Sequence, residues 1–179
     1  MSNYLIATCL SVVTACFTAA ASWVPDKEKT YLFQVAQCLV YAAASYFYGV
    51  YTTIITMFIC AARNYLAAKD RFTLNTAIVF SVLGIGLGIM FNNSGLVGAI
   101  PIAATVVYNF GCCICKKLVA VKWNIIINLL FWMTYDIAIS DFASLLMDTI
   151  GMAAAVAAIL RIAGILKSKK TENTAGEES

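Results

Sequence analysis

Two runs of amide and aromatic side chains recur at helical spacing in this sequence. Gln34, Gln37, Tyr41, Ser45 and Tyr48 follow one another at intervals of three, four, four and three, and Asn124, Asn128, Trp132, Tyr135 and Asp136 form a comparable run. Side chains three and four apart share one face of a helix, so each run is a polar-aromatic stripe in an apolar segment. An amide turned toward hydrocarbon leaves its donors and acceptors unpaired, which is costly. Both stripes must therefore face protein or a water-filled cavity. Rings beside amides suit a small polar ligand bearing rings or hydroxyls; the same amides also serve as hydrogen-bonding glue between helices. Tyr48, Trp23 and Tyr51, near segment ends, read as interfacial belt residues.

Two acids sharpen the picture. Ionisable groups inside a membrane are expensive and mark binding sites or proton paths. Asp148 lies about two turns, roughly 10 Å, from the nearer end of its segment and is the candidate for binding substrate or a coupling proton. Asp136 lies about one turn from its end, so water is within reach of it. Thr105 follows Pro101 by one turn, where a proline kink gives its hydroxyl access to the interior; Thr14 is its counterpart in the first segment. Arg63 and Arg161, at segment ends, are expected to snorkel to the interface.

Catalysis is not expected. The chain has no histidine, so no Ser-His or Cys-His dyad and no His-rich metal site is available. Asp136 and Asp148 lack the Gly-x-Gly-Asp setting of an intramembrane aspartyl protease. Cys112 and Cys115 spell C-x-x-C, but no second pair accompanies them, and the seven cysteines read as small hydrophobes. Neither metal nor cofactor is expected.

The elements that carry these residues follow from composition. Of 179 residues, 62% are hydrophobic and 12% charged, far more apolar than soluble domains. Alternating barrel strands are missing, and helices are the other structure that satisfies its backbone in lipid. Runs of about 20 apolar residues mark the spans. Seven are read: Tyr4–Val24, Tyr31–Gly49, Tyr51–Ala68, Asn75–Phe91, Leu96–Cys115, Val121–Ile139 and Phe142–Leu166. Tight turns are expected at Gly49-Val50 and Ser140-Asp141. Met1-Ser2-Asn3 carries no basic side chain, unlike a signal peptide, so the first segment is expected to be a retained helix. With alternating spans, all 12 basic residues fall to one side, the cytoplasmic side by the positive-inside rule. This gives an N-out, C-in orientation.

Segments one to three and five to seven share a layout: a basic loop after the first helix and a tight turn after the second. A shift of 91 residues sets Leu5 on Leu96, Thr14 on Thr105, Gln37 on Asn128 and Tyr41 on Trp132. Because one helix separates the triplets, they are parallel repeats about an axis along the membrane normal. The expected fold is thus an all-α integral membrane protein of seven transmembrane helices in a 3+1+3 plan. Residues 1–68 form the first three-helix bundle, 69–95 the linker helix with its loops, 96–166 the second bundle, and 167–179 a disordered cytoplasmic tail. Gly84-x-x-x-Gly88 in the linker is a small-residue face that meets either a helix of this chain or an oligomer neighbour.

The run Val97-Gly98-Ala99-Ile100-Pro101-Ile102-Ala103-Ala104-Thr105, followed by Cys112-Cys113 and Lys117, resembles the fifth-helix region of the YgjV-type bacterial inner-membrane proteins. Ala61-Ala62-Arg63, Trp132 with Tyr135-Asp136, Asp148 (where the resemblance leads one to expect Glu) and Leu160-Arg161-Ile162 extend it over most of the chain. The resemblance implies an inner-membrane location and no particular activity. The 3+1+3 layout is also similar to that of SWEET sugar facilitators and PnuC vitamin transporters, in architecture alone. The expected function is transport or facilitation of a small polar metabolite (vitamin, nucleoside or sugar-like) between the two repeats, past Gln37, Tyr41, Thr105, Asn128, Trp132, Tyr135, Asp136 and Asp148. The alternative is a non-transporting scaffold or regulator. Expected partners are the lipid bilayer, the metabolite and a second copy of the chain, without nucleic acid.

Overall fold

The computed structural model describes residues 2–48, 51–92, 95–140 and 142–177. Among them are seven helices: α1 (Ser2–Trp23), α2 (Lys27–Tyr48), α3 (Tyr51–Ala68), α4 (Leu74–Met90), α5 (Ala99–Ile114), α6 (Leu118–Ile139) and α7 (Phe142–Glu177). Each corresponds to one expected segment. By length and composition α1, α6 and α7 are fit to cross a membrane, and α4 and α5 are shorter apolar helices.

Local chemistry moves several boundaries. Pro25 follows the end of α1, and the Asp26 carboxylate accepts from Lys29 N at 2.7 Å. That cap starts α2 at Lys27, ahead of the expected Tyr31, because it satisfies an orphan N–H of the first turn. Thr73 and Thr76 cap each other reciprocally at the start of α4. Asp70 (φ 54°) and Ser140 (φ 60°) take the left-handed conformation where α3 and α6 end. Residues 95–98 form turns, so α5 begins at Ala99 rather than Leu96. α6 begins at Leu118, three residues ahead of the expected Val121, so Lys122 falls in its second turn. α7 continues past Leu166 to Glu177, through the stretch expected to be a disordered tail. Gly49-Val50 and Asp141, where tight turns are expected, lie outside the described residues.

α2 packs between α1 and α3, and α6 between α5 and α7. α1 joins the two groups by packing along α7, and α3 touches α4 and α5. Going round, the order is α3, α2, α1, α7, α6, α5, with α4 laid against α5. The α4–α5 contact uses the small-residue face: a Cβ on Gly84 would stand 2.9 Å from Thr105 Cγ2, and one on Gly88 2.5 Å from Ile102 Cγ1. That face is occupied within the chain.

The α1–α2, α3–α4 and α5–α6 turns meet at one end of the bundle, the basic end. Lys27 bonds Asp70, Lys69 bonds Glu28, and the charge of Lys116 also reaches Asp70. The hydrogen bond from Lys27 holds the Asp70 carboxyl below the usual carboxylate range. The Glu28 carboxylate raises Lys69.

Candidate functional site

The basic end closes around α3. Ala61, Ala67 and Ala68 are buried on α3, and small side chains let neighbouring helices approach closely. Among them sits Arg63, only 8% exposed. Its Nε donates to Asn64 Oδ1 at 3.2 Å and its Nη1 to Asn109 Oδ1 on α5 at 3.1 Å. The guanidinium lies over the Tyr108 ring, 4.6 Å from its centroid, a cation–π contact. The expectation that Arg63 snorkels to the interface is therefore corrected: neighbouring acceptors and a ring enclose it.

The network spreads from Arg63 across five helices. Tyr108 Oη donates to Gln34 Oε1 on α2 at 2.7 Å. Asn109 Nδ2 donates to Ser81 Oγ on α4 at 3.1 Å. Asn64 Nδ2 points at Cys38 Sγ on α2, 3.9 Å away, and Asn124 Nδ2 on α6 donates to Tyr108 O at 3.3 Å. Gly111 is required here, since a Cβ would fall 1.9 Å from Asn124 Oδ1.

A second buried cation lies at the same end. Lys122 is fully buried, and its Nζ donates to Ala21 O at 2.7 Å and Thr30 Oγ1 at 2.8 Å. Ala21 O is among the last carbonyls of α1, which have no partner within their own helix. Among the described residues, no carboxylate pairs with Arg63 or Lys122; the ion pairs are Lys27–Asp70 and Lys69–Glu28.

The stripes behave differently along their length. At about 100° per residue, Gln34, Gln37 and Tyr41 lie on the side of α2 opposite the exposed Leu32, Leu39 and Tyr46. Near the basic end this side faces across the bundle: Thr30 meets Lys122 of α6, and Gln34 meets Tyr108 of α5. Two turns on, about 10 Å farther along the axis, Tyr41 on that same side is 38% exposed. On α6, Asn128 and Trp132 are half-buried and lie opposite the exposed Trp123, Ile127 and Leu130. Trp132 and Tyr135 stack edge to face at 6.0 Å.

The other expected site residues distribute as follows. Asp136 is buried and Asp148 half-buried. Thr105 packs on Gly84 of α4 and donates to Pro101 O at 2.9 Å, so it sits at the α4–α5 contact. Thr14 is buried and donates to Leu10 O at 2.9 Å. Ser45 donates to Tyr41 O at 2.8 Å. Arg161 lies over Trp23, 5.6 Å from the ring centroid. The side chains of Tyr48 and Tyr51 lie outside the described residues. All seven cysteines are free thiols.

Sequence reasoning missed the network and Lys122. The available signals were the adjacent Arg63-Asn64 and Tyr108-Asn109 pairs. Each is polar and within two turns of the end of a largely apolar helix.

The family model Imp-YgjV, described as a bacterial inner membrane protein, matches residues 5–165 of the chain. No curated protein and no solved structure matches.

Proposed function

The chain belongs to the Imp-YgjV family and is a bacterial inner membrane protein, and on that premise we propose that it carries a small polar metabolite along a path between two three-helix repeats. The path is lined by Gln37, Tyr41, Asn128 and Trp132, with Asp136 and Asp148 beyond them. The protein acts as a carrier or facilitator and not as an enzyme. Its seven helices span in alternation, N-out and C-in, with the basic end in the cytoplasm.

The observation that carries this reading is Tyr41. The side of α2 that is closed across the bundle at Thr30 and Gln34 is exposed at Tyr41, which supports an interior open away from the basic end. The packing order supports the repeats. α2 and α6 hold corresponding middle places, and an axis relating α1 to α5 and α3 to α7 relates the α1–α7 contact to the α5–α3 contact. Asn128 and Trp132 then stand where Gln37 and Tyr41 stand in the other half.

The test compares two residues of α2 with similar exposure, Tyr41 at 38% and Leu39 at 44%. In a background with the seven native cysteines replaced, Tyr41→Cys is expected to react with a membrane-impermeant thiol reagent added from outside, and Leu39→Cys to stay unreactive in lipid. Equal protection of both removes the path.

The second reading, a scaffold or regulator that transports nothing, draws on a groove of about 500 Å³ between α5 and α6. Val107, Phe110, Ile114, Trp123 and Ile127 line it, and a partner's transmembrane helix suits so apolar a surface. Under this reading Tyr41→Cys stays protected.

A further inference from the structure

The path described above has a floor whose chemistry neither reading uses. Arg63 carries a permanent charge and five N–H donors. Two are spent, one each on the neutral amide oxygens of Asn64 and Asn109. The described hydrogen bonds use no others, and among the described residues no carboxylate lies within ion-pair distance. An enclosed charge without a counter-charge is among the most expensive features a fold can hold. Three neighbours nevertheless fix it: Tyr108 beneath the guanidinium plane, Asn109 anchored on Ser81, and Asn64 on the same helix. A planar fork held rigid with spare donors matches an oxyanion, which accepts two parallel N–H bonds and supplies the missing charge.

We infer that Arg63 binds the carboxylate or phosphate group of a soluble ligand at the basic end of the bundle. The route to it rests on the proposed path: Gln34, which receives the Tyr108 hydroxyl, lies on the same side of α2 as Gln37 and Tyr41. A ligand entering past Tyr41 meets amides first and the guanidinium last. Asp136 and Asp148 lie toward the other end of α6 and α7, away from Arg63, and leave its charge uncompensated.

The test uses the full chain in phosphate-free maltoside micelles. Thermal unfolding is followed while inorganic phosphate or acetate is raised against chloride at constant ionic strength. The wild type is expected to gain stability with at least one of the two oxyanions, saturably, and not with chloride. Arg63→Gln, which keeps a donor for Asn109, is expected to shift the half-saturating concentration at least about tenfold upward. Arg63→Lys keeps the charge but loses the fork; it is expected to fall between the two, and it decides the matter where the glutamine variant does not fold. No oxyanion-specific gain in the wild type, or an unshifted half-saturation in the variants, overturns the site. Oxyanion binding with a protected Tyr41→Cys removes the path and leaves the site; labelling at Tyr41→Cys without oxyanion binding does the reverse.

Discussion

The two ends of this bundle are built from different materials. At the basic end the largest fully buried side chains crowd together: Tyr31, Phe72, Lys122, Val121, Asn109, Thr30 and Ser22. Toward the other end the buried residues described are mostly small, such as Ala7, Ala42, Ala44, Ser45 and Ala104. Large side chains that interdigitate fill most of the space there. Small ones bring helix backbones together at their seams. The basic end also holds both buried cations, each bonded to at least one neutral acceptor from another helix. The contrast separates two jobs within single helices. α2 is fully enclosed at Tyr31 and 38% exposed at Tyr41.

The largest expected effect lies where the closed end is tightest. Gly111→Val puts atoms onto the buried Asn124 amide, already 1.9 Å from where a Cβ would stand. The Asn124 amide must leave its bond to Tyr108 O to make way, so a loss of about 3 kcal/mol or more is expected. The control is Gly86→Ala on α4, where a Cβ meets nothing within 4 Å; stability there should hold or rise by up to ~1 kcal/mol through helix propensity. Thermal unfolding of the two variants in the same detergent checks the pair, and similar behaviour would erase the contrast between tight and open regions. The next effect is Lys122→Ala. It deletes the donor to Ala21 O and Thr30 Oγ1 and leaves a cavity, for an expected loss of ~2–4 kcal/mol. A neutral result would mean that relief of the buried charge offsets the lost contacts, and that the lysine is there for something other than cohesion.

The seven helices were legible because apolar runs mark them, although among the described residues only α1, α6 and α7 are long and apolar enough to cross a membrane by that rule. The boundaries that moved did so for local reasons that hydropathy does not record. Asp26 caps α2 ahead of its apolar run, and α6 starts at Leu118, three residues before the expected Val121. The site was legible only in part. Amide spacing identified the inward sides of α2 and α6, since a polar stripe at helical period has few other places to face. Arg63 was misread because a cation near a helix end has two outcomes, interface or interior. Which one occurs depends on Tyr108 and Asn109, whose positions are far from Arg63 in sequence. Thr105 was misplaced because helical period gives its face but not its neighbour, and the glycines of α4 occupy that face.

The smallest effect tests whether the basic end is held by its surface charges or by what lies beneath them. Asp70 is largely exposed and pairs with Lys27, and its carboxyl is depressed chiefly by that hydrogen bond. A depressed carboxyl contributes stability above its ordinary pKa of about 3.9 and loses it as pH falls through the lower folded value. The contribution is therefore constant at neutral pH and fades below about pH 4. Lys69, raised by Glu28, runs the other way: its contribution holds up to the ordinary lysine value of about 10.4 and fades as pH rises past it. Exposed pairs of this kind contribute little, and less in salt. Asp70→Asn isolates the charge, because asparagine tolerates the left-handed backbone that Asp70 adopts at φ 54°. Its expected cost is under ~1 kcal/mol at neutral pH, read as a small drop in melting temperature that shrinks in high salt and fades as pH falls below about 4. A loss of several kcal/mol would transfer the cohesion of this end from the buried network to the ion pairs at its surface, and the contrast between a packed floor and an open wall would lose its physical basis.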